Sequence, residues 1–258
     1  WRAALVRLAC ALPVAFGLAA PAAYLAIEAW ERYVFAGLSP QIMTEAGITA
    51  MFAAIATGIA VGLGLVVTGA ARLRPGRFTQ GLARVSTLGY AVPGTILAIG
   101  LLPVITLADR QIDAVARAIW GSGPGLLLLG SGAALIYAYT ARFLAIATGG
   151  IESGLSRVPP SLDHVARTLG RTPAGVFREV HMPIARPALA AAGLLIFVDC
   201  VKELPATLLL RPLNFETLST HLYGEAARGT YEDAAIAALI IVAIGILPVI
   251  VLARTIRR

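Results

Sequence analysis

The sequence predicts an all-α integral membrane protein that crosses the bilayer six times. Hydrophobic residues make up 58% of the 258 residues and charged residues only 14%, with a mean hydropathy of +0.81. Soluble domains average about 45–50% apolar and about 25% charged residues. A chain this apolar has too few polar side chains to cover its own surface in water. The length of the apolar runs and the placement of the arginines support the same fold class.

Six apolar runs approach the roughly 20 residues that a helix needs to cross about 30 Å of hydrocarbon. Hydrophobicity alone supports the first run. At the start of the fourth run, three glycines and Pro124 indicate a loop that leads into the helix. We divide the chain into residues 1–45, a first helix with its outer loop, and residues 46–258, a core of five helices. The predicted spans are Leu8–Ile27, Ala46–Ala71, Val85–Ala108, Gly123–Ala141, Pro187–Leu210 and Ala234–Ala253.

The basic residues predict that both chain ends lie in the cytoplasm. Lys and Arg collect in the cytoplasmic loops of membrane proteins. Most of the 21 basic residues precede the first span or follow the second, fourth and sixth, whereas acidic residues such as Glu45 and Asp113 fall on the other side. This alternation fits six spans. It also explains the net charge of +7 without a nucleic-acid partner.

One loop, from Arg142 to Arg186 on the predicted cytoplasmic side, is long enough to carry its own structure. Long structured loops usually have a function. Its first helix is expected to begin at a Ser161 cap and to run to Leu169. Gly170 then suits the left-handed position that ends a helix.

A second short helix in this loop is expected to be capped by Thr172 and ended by Pro183. His164 and His181 are expected at the loop surface. Four apolar side chains share one face of the first helix. This face either packs on the spans or docks into a partner's groove, and the plain alternative is an amphipathic hairpin lying on the membrane. The four residues are Leu162, Val165, Ala166 and Leu169.

The loop resembles the EAA loop of ABC importer permeases. That family pattern is Glu-Ala-Ala, three residues, Gly, nine residues and Ile-x-Leu-Pro. Gly170 and Pro183 match in spacing and Ala166 matches the second Ala, but His164 stands where Glu is usual. The residues that the resemblance assigns to ATPase coupling are Asp163, His164, Ala166, Gly170, Val180 and Pro183.

Two further stretches resemble iron(III)-type ABC permeases. They are Tyr90-Ala-Val-Pro-Gly94 and Lys202-Glu-Leu-Pro-Ala-Thr-Leu-Leu-Leu-Arg-Pro212. The resemblance implies a MetI-like permease core with a cytoplasmic EAA coupling loop, in the inner (plasma) membrane of a bacterium. The second stretch is similar to the carboxyl-terminal half of a fused permease, so a first half is expected upstream of Trp1.

The resemblance also implies the partners of this chain. They are cytoplasmic ABC ATPase subunits, a second permease half, a periplasmic or extracellular substrate-binding protein and membrane lipid. The chain lacks the G-x-x-x-x-G-K-[ST] phosphate loop, so the ATPase is expected to be a separate subunit. The substrate that the resemblance implies is ferric iron, and relatives that carry thiamine, phosphonate, sulfate or polyamines remain alternatives.

The fifth predicted span contains charged residues. Each charge at mid-bilayer costs about 2.5–3.5 kcal/mol on insertion scales. Asp199, Lys202, Glu203 and Ala206 are spaced to share one helix face, and Pro205 is expected to kink the helix. Asp199 and Lys202 are spaced to pair, which leaves Glu203 in need of another partner.

Two interpretations of this charged face stay open. It lines a translocation path whose acidic balance favours a cation, or it forms a structural ion network. The Pro93–Gly94 pair in the third span is expected to kink that helix beside the path or for packing only. A different class of function is a proton-coupled secondary transporter that uses Asp199 and Glu203.

The sequence predicts neither an enzyme nor a cofactor site. It contains no triad or paired-carboxylate pattern that indicates catalysis. His221 and Glu225 lie four residues apart, but two ligands are too few for a metal site. A membrane enzyme or an assembly factor would need a catalytic or cofactor cluster that the sequence does not offer.

Overall fold

The computed structural model describes residues 1–256, apart from the side chains of Ala4, Pro160, Val251, Leu252 and residues 254–256. Every regular element in this part of the chain is a helix. Short π-helical segments at Ala15–Ala19 and Phe177–His181 connect α-helices without interrupting them. The α-helices are α1 (Arg2–Val14), α2 (Ala20–Ala36), α3 (Pro40–Leu73), α4 (Arg77–Ser86), α5 (Leu88–Ala91), α6 (Gly94–Trp120), α7 (Gly132–Leu155), α8 (Pro160–Thr168), α9 (Pro173–Val176), α10 (Met182–Val201), α11 (Pro205–Leu210), α12 (Leu218–Arg228) and α13 (Tyr231–Ile256).

The expectation of six spans is confirmed, because six helices are long and apolar enough to cross a membrane. Their ends differ from the expected ones. The fourth span lies later than expected, because residues 121–131 form no helix. The fifth begins earlier, since helical backbone continues from α9 through the π-helical segment into α10. The six are Leu5–Ala36, Pro40–Leu73, Gly94–Trp120, Gly132–Leu155, Pro173–Val201 and Tyr231–Ile250.

The third and fifth predicted spans are broken rather than kinked. Val92 is extended, with φ −86° and ψ 127°, as expected for a residue before proline. Pro93 then precedes the first residue of α6. In the fifth span α10 ends at Val201 and Pro205 begins the separate helix α11. Asp199 and Glu203 therefore do not share a continuous helix face, contrary to the expectation.

The chain forms two compact units that interleave in sequence. One unit contains Trp1–Thr49 and Glu216–Ile244, and the other contains Ala50–Phe215 with the described residues from Gly245 onward. In the first unit, the amide of Leu218 at the start of α12 donates to Oγ1 of Thr49 at 2.9 Å. An apolar cluster of Ile42, Ala46, Leu218 and Ala237 forms its core.

Helix α7 is central to the second unit. It contacts α4, α5, α6, α10 and α11. Its buried side chains include small residues such as Ala138 and Ala147, which allow neighbouring backbones to approach closely. This helix therefore fixes the positions of the breaks in its neighbours.

Asp109 holds the non-helical segment between α6 and α7. This carboxylate is fully buried and accepts three backbone N–H bonds, from Leu127, Leu128 and Leu129, at 3.0, 2.8 and 2.8 Å. Buried backbone donors need such partners, because an unsatisfied one costs about 1–3 kcal/mol. One side chain on α6 thus fixes the start of the fourth span.

We expect Asp109→Asn to loosen this segment. An amide has one acceptor oxygen, and its NH₂ group would oppose a backbone N–H donor. The variant should lose about 1–3 kcal/mol of local stability, measured as faster amide hydrogen exchange at residues 121–131. Asp113→Asn is the matched control, because Asp113 receives one backbone N–H from this segment, that of Gly125. Equal exchange in the two variants would contradict the role of Asp109.

Candidate functional site

The two helix breaks lie next to each other near the middle of α7. The backbone of Gly89 approaches the carbonyl of Ala141, and Gly94 lies against Arg142 and Glu203. Arg142 is close to the midpoint of the 24-residue helix α7. Since α7 is one of the six candidate spans, both breaks lie beside the middle of a helix that is long and apolar enough to cross a membrane. Non-helical backbone at membrane depth is tolerated only where protein buries it or a water-filled cavity borders it.

Glu203 has a basic partner in the structure, and this partner is Arg142. Its Nη1 lies 3.2 Å from Oε1 of Glu203, whose side chain is 7% exposed. The sequence placed Arg142 in the long loop, and that assignment is wrong, because Arg142 lies inside α7. An ion pair therefore joins α7 to the α10–α11 break.

The backbone around Glu203 also favours its negative charge. Oε1 accepts a hydrogen bond from the amide of Ala206 in the first turn of α11, at 3.2 Å. It also faces Gly94 at the start of α6. A carboxylate near helix N-termini interacts favourably with the partial positive charge there.

Gly94 is required for this arrangement. A Cβ atom at that position would overlap Nη1 of Arg142 and Oε1 of Glu203. The charged pair would have to move if any side chain replaced the glycine. The structure thus brings Gly94, Arg142 and Glu203 together, and we call these three residues the break cluster.

The other candidate residues of the fifth span lie beside the break cluster. The pairing of Asp199 with Lys202 is confirmed, with Nζ 2.8 Å from Oδ1. Asp199 is buried, whereas the Lys202 side chain is 61% exposed. Pro93 and Pro205, which flank the breaks, are both exposed.

The predicted long loop is shorter in the structure. Because α7 extends to Leu155 and the fifth span begins at Pro173, the connection between these two spans is residues 156–172 instead of 142–186. Its helix α8 begins after Pro159, and Ser161 does not cap it. Thr172 does cap the following helix, as expected, with Oγ1 accepting from the amide of Gly175 at 3.2 Å.

Gly170 ends α8 as expected. Its φ is +81°, a left-handed conformation that costs other L-residues about 1–2 kcal/mol. The amide of Gly170 donates to the carbonyl of Arg167 and that of Arg171 to the carbonyl of Ala166. These two bonds form a Schellman motif, which makes a tight and well-defined turn.

Pro183 does not end the second helix, contrary to the expectation. Helical backbone runs through the π-helical segment Phe177–His181 into α10, and Pro183 lies at the start of that helix. Proline is tolerated in the first turn of a helix because its missing N–H has little need of a partner there. Val180 lies in the π-helical segment, half-buried.

Asp163 is clamped from both sides by basic groups. Nε2 of His181 lies 2.5 Å from Oδ1, and Nη2 of Arg72 lies 3.4 Å from Oδ2. Arg72 also donates to the carbonyls of Leu155 and Val158, both at 2.9 Å. The clamp, Arg72–Asp163–His181, thus ties α8 to α3, to the end of α7 and to the fifth span.

The clamp buries His181 and lowers the pKa of the Asp163 carboxyl. His181 is 1% exposed, so its placement at the loop surface is wrong, whereas the placement of His164 there is confirmed. Burial alone would raise the pKa of the Asp163 carboxyl. The hydrogen bond and charge of His181, followed by the guanidinium of Arg72, outweigh burial and lower this pKa below its ordinary value.

Helix α8 presents most of its apolar face outward. Ala166 is buried, but Leu162, Val165 and Leu169 are 38%, 54% and 77% exposed. The face therefore does not pack on the chain's own spans, except at Ala166. Within the described residues this leaves an apolar ridge, Leu162–Val165–Leu169, on a helix that the clamp holds in place.

His221 has a different partner from the one considered in the sequence. Its Nδ1 lies 2.8 Å from Oε2 of Glu45, while Glu225 pairs with Arg228 and Thr230. The Thr230 hydroxyl, with further help from Arg228, lowers the pKa of the Glu225 carboxyl. Among the residues that the structure describes, no group of three or more His, Cys, Asp or Glu side chains could hold a metal ion.

Six helices are long and apolar enough to cross a membrane, and two of them end at breaks beside the middle of α7, which is the architecture of a multi-pass membrane protein. The chain belongs to the family described as the binding-protein-dependent transport system inner membrane component, whose sequence pattern matches residues 54–258. The chain is thus a multi-pass permease component of that family. The first helix lies outside the matched region.

Similar proteins come from several transport systems. The Fe(3+)-transport permease FbpB 2 of Haemophilus influenzae is 33% identical over 118 residues, which are 46% of this chain and 23% of that protein. The 2-aminoethylphosphonate permease PhnV of Salmonella typhimurium is 26% identical over 177 residues, 69% of this chain and 61% of PhnV. The chain therefore spans less than two thirds of either relative. A bacterial transporter that imports the acidic polysaccharide alginate shares the fold, with a TM-score of 0.74 and 16% identity over 100% of this chain and 96% of that one.

Sequence reasoning missed three residues of these two sites. The sequence pattern uses Arg72 only as an orientation signal, and it predicts Arg142 in a loop and His181 at the surface. Arg142 lies three residues after Tyr139 in an otherwise apolar run, and a lone arginine there could have indicated a buried partner. The sequence has no comparable signal for Arg72, whose role depends on contacts 83 to 91 residues away.

Proposed function

We propose that this chain is one permease half of an ATP-driven importer, with both termini in the cytoplasm and ferric iron as its cargo. The observation that carries the coupling role is the exposed apolar ridge of α8 on a helix clamped to two spans. Motion of a partner at this ridge would pass directly into α3 and into the fifth span. The partners are cytoplasmic ATPase subunits, a second permease half and a substrate-binding protein on the outer face.

The break cluster supports a translocation path at mid-bilayer. The two breaks expose Pro93, Pro205 and the Lys202 ammonium, and irregular backbone at this depth requires a protein or aqueous environment. Both carboxylates here have basic partners, Asp199 with Lys202 and Glu203 with Arg142. A proton carrier needs a carboxylate that is free to take up and release a proton, so this pairing disfavours a proton-coupled transporter.

The choice of ferric iron is supported by the similarity to FbpB 2 and by the Lys202–Pro212 stretch. Aminoalkylphosphonate is the second candidate, because PhnV matches a larger share of this chain. The test is ATP hydrolysis by the complete complex in nanodiscs with its binding protein. We expect the ferric-loaded binding protein to stimulate hydrolysis several-fold and the 2-aminoethylphosphonate-loaded form to have no effect.

The control for this experiment is Gly170→Trp in the same complex. A Cβ atom at this position would meet nothing within 4 Å, but the left-handed backbone at φ +81° strains any L-residue. We expect the substrate-stimulated part of the hydrolysis to disappear. Stimulation by the phosphonate alone would overturn the iron assignment, and unchanged stimulation in the Gly170 variant would overturn the coupling role of the loop.

A further inference from the structure

The outward surface of α8 is basic and apolar. Beside the ridge of Leu162, Val165 and Leu169, the side chains of His164 and Arg167 are exposed. Asp163 is the only acidic residue in Pro160–Thr168. The charge of this surface therefore depends on where the Asp163 carboxylate points.

Asp163 points away from the outward surface. Both of its carboxylate oxygens have partners inside the chain, Oδ1 with His181 and Oδ2 with Arg72. Glu179, in the π-helical segment that follows α9, pairs with Arg171 at 3.2 Å. Within the described residues, α8 thus offers no outward carboxylate, although the family pattern that it resembles begins with Glu.

We propose that the ATPase groove which receives α8 is acidic, with carboxylates opposite Arg167 and His164. This proposal rests on the proposed function, which makes an ATPase subunit the occupant of the ridge. Charges across an interface are arranged to be complementary, and like charges placed together select against a wrong partner. The positive charge on the outward surface of α8 therefore determines which ATPase subunit this permease binds.

A groove fits this surface better than a lipid headgroup layer. The helix has nine residues, and a Schellman turn and the clamp fix its orientation. Its exposed apolar residues form a narrow ridge of one residue per turn instead of a broad face. Interfacial membrane helices usually present a broad apolar face and a strongly charged opposite face.

The test measures association between the detergent-solubilised permease complex and the ATPase subunit that co-purifies with it. Arg167→Glu and His164→Glu should each weaken association at least about tenfold, equivalent to about 1.4 kcal/mol. Arg167→Gln should have a smaller effect and should reduce the salt dependence, because salt screens exposed charges. Arg77→Glu is the control, since Arg77 is exposed at the start of α4, outside the ridge.

Val165→Asp separates this inference from the proposed function. If Val165→Asp weakens association but the two glutamate variants do not, the acidic groove is wrong and the docking role stands. If Val165→Asp also has no effect, the docking role itself is wrong. If Arg167→Glu changes only the thermal stability in nanodiscs of anionic lipid, the surface binds lipid and the proposal is overturned.

Discussion

Replacing Arg142 by Met is expected to destabilise the protein by about 3–5 kcal/mol and to abolish transport. Removing one partner of a buried ion pair leaves an uncompensated charge, which is the source of this cost. Glu203, with a 7% exposed side chain, would keep its bond to the Ala206 amide but lose the ion pair with Arg142. The free energy of unfolding in detergent and substrate uptake into proteoliposomes measure the two effects.

The double variant Arg142→Met/Glu203→Met decides between the two interpretations of the charged face. Apolar replacement of a whole buried pair is often neutral or stabilising, so we expect most of the stability to return. We expect transport to stay lost, because the proposed translocation path at the two breaks would lack the Glu203 carboxylate. Recovery of both stability and transport would mean that the pair is structural only.

Two further variants control this experiment. Lys202→Met should destabilise the protein less than Arg142→Met, because the Lys202 side chain is 61% exposed and water weakens its ion pair with the buried Asp199 carboxylate. Gly94→Ala should resemble Arg142→Met, since its Cβ would displace the same ion pair without removing a charge. Wild-type behaviour of Gly94→Ala would show that the pair can move without consequence.

The sequence predicted the features that depend on length and local chemistry. The six apolar runs are long enough to span a membrane whatever tertiary contacts they make. The helix end at Gly170 and the helix cap at Thr172 follow from local hydrogen bonds. The pairing of Asp199 with Lys202 also needed only their spacing. These expectations held because each depends on residues close together in the chain.

The breaks could not be predicted with the same rules. A proline inside an apolar run is compatible with a kink or with a break, and neighbouring helices decide between them. Here α7 supplies Arg142, which holds Glu203 beside the start of α6. Without that contact nothing in the sequence distinguishes a kinked fifth span from two separate helices.

Burial of His181 depended on contacts that are distant in sequence. A histidine beside Met-Pro looked like a surface residue, because Pro183 was expected to end a short loop helix. The helix continues instead, and His181 meets Asp163 and the ring of Phe177 inside the protein. The family pattern gave the shape of the loop but did not indicate where Asp163 points.

Asp163→Ala is expected to uncouple ATP hydrolysis from transport. The variant would leave His181, which is 1% exposed, and Arg72 without the carboxylate that joins them. Hydrogen bonds to charged groups contribute about 1.5–3 kcal/mol each, so α8 should lose its fixed position. Basal hydrolysis by the complex should persist while transport per ATP hydrolysed falls at least about tenfold, a change equivalent to about 1.4 kcal/mol.

The pH dependence gives a second measurement of the same clamp. Because the folded pKa of Asp163 lies below its ordinary value of 3.8, its stabilising contribution is complete above that value. The contribution is lost only as the pH falls through the lower, folded pKa. Titration of Asp163 should therefore leave wild-type coupling unchanged between about pH 6 and pH 8, far above the ordinary range of carboxyl pKa values.

The conservative variants separate charge from shape at this position. Asp163→Asn keeps the size of the side chain but removes its charge, so it should lose most of the coupling at every pH in that range. Ser161→Ala, an exposed change on the same helix, should leave coupling intact because Ser161 does not cap α8. Full coupling in Asp163→Asn would mean that the packing of α8, and not the charged clamp, transmits the motion of the ATPase to the spans.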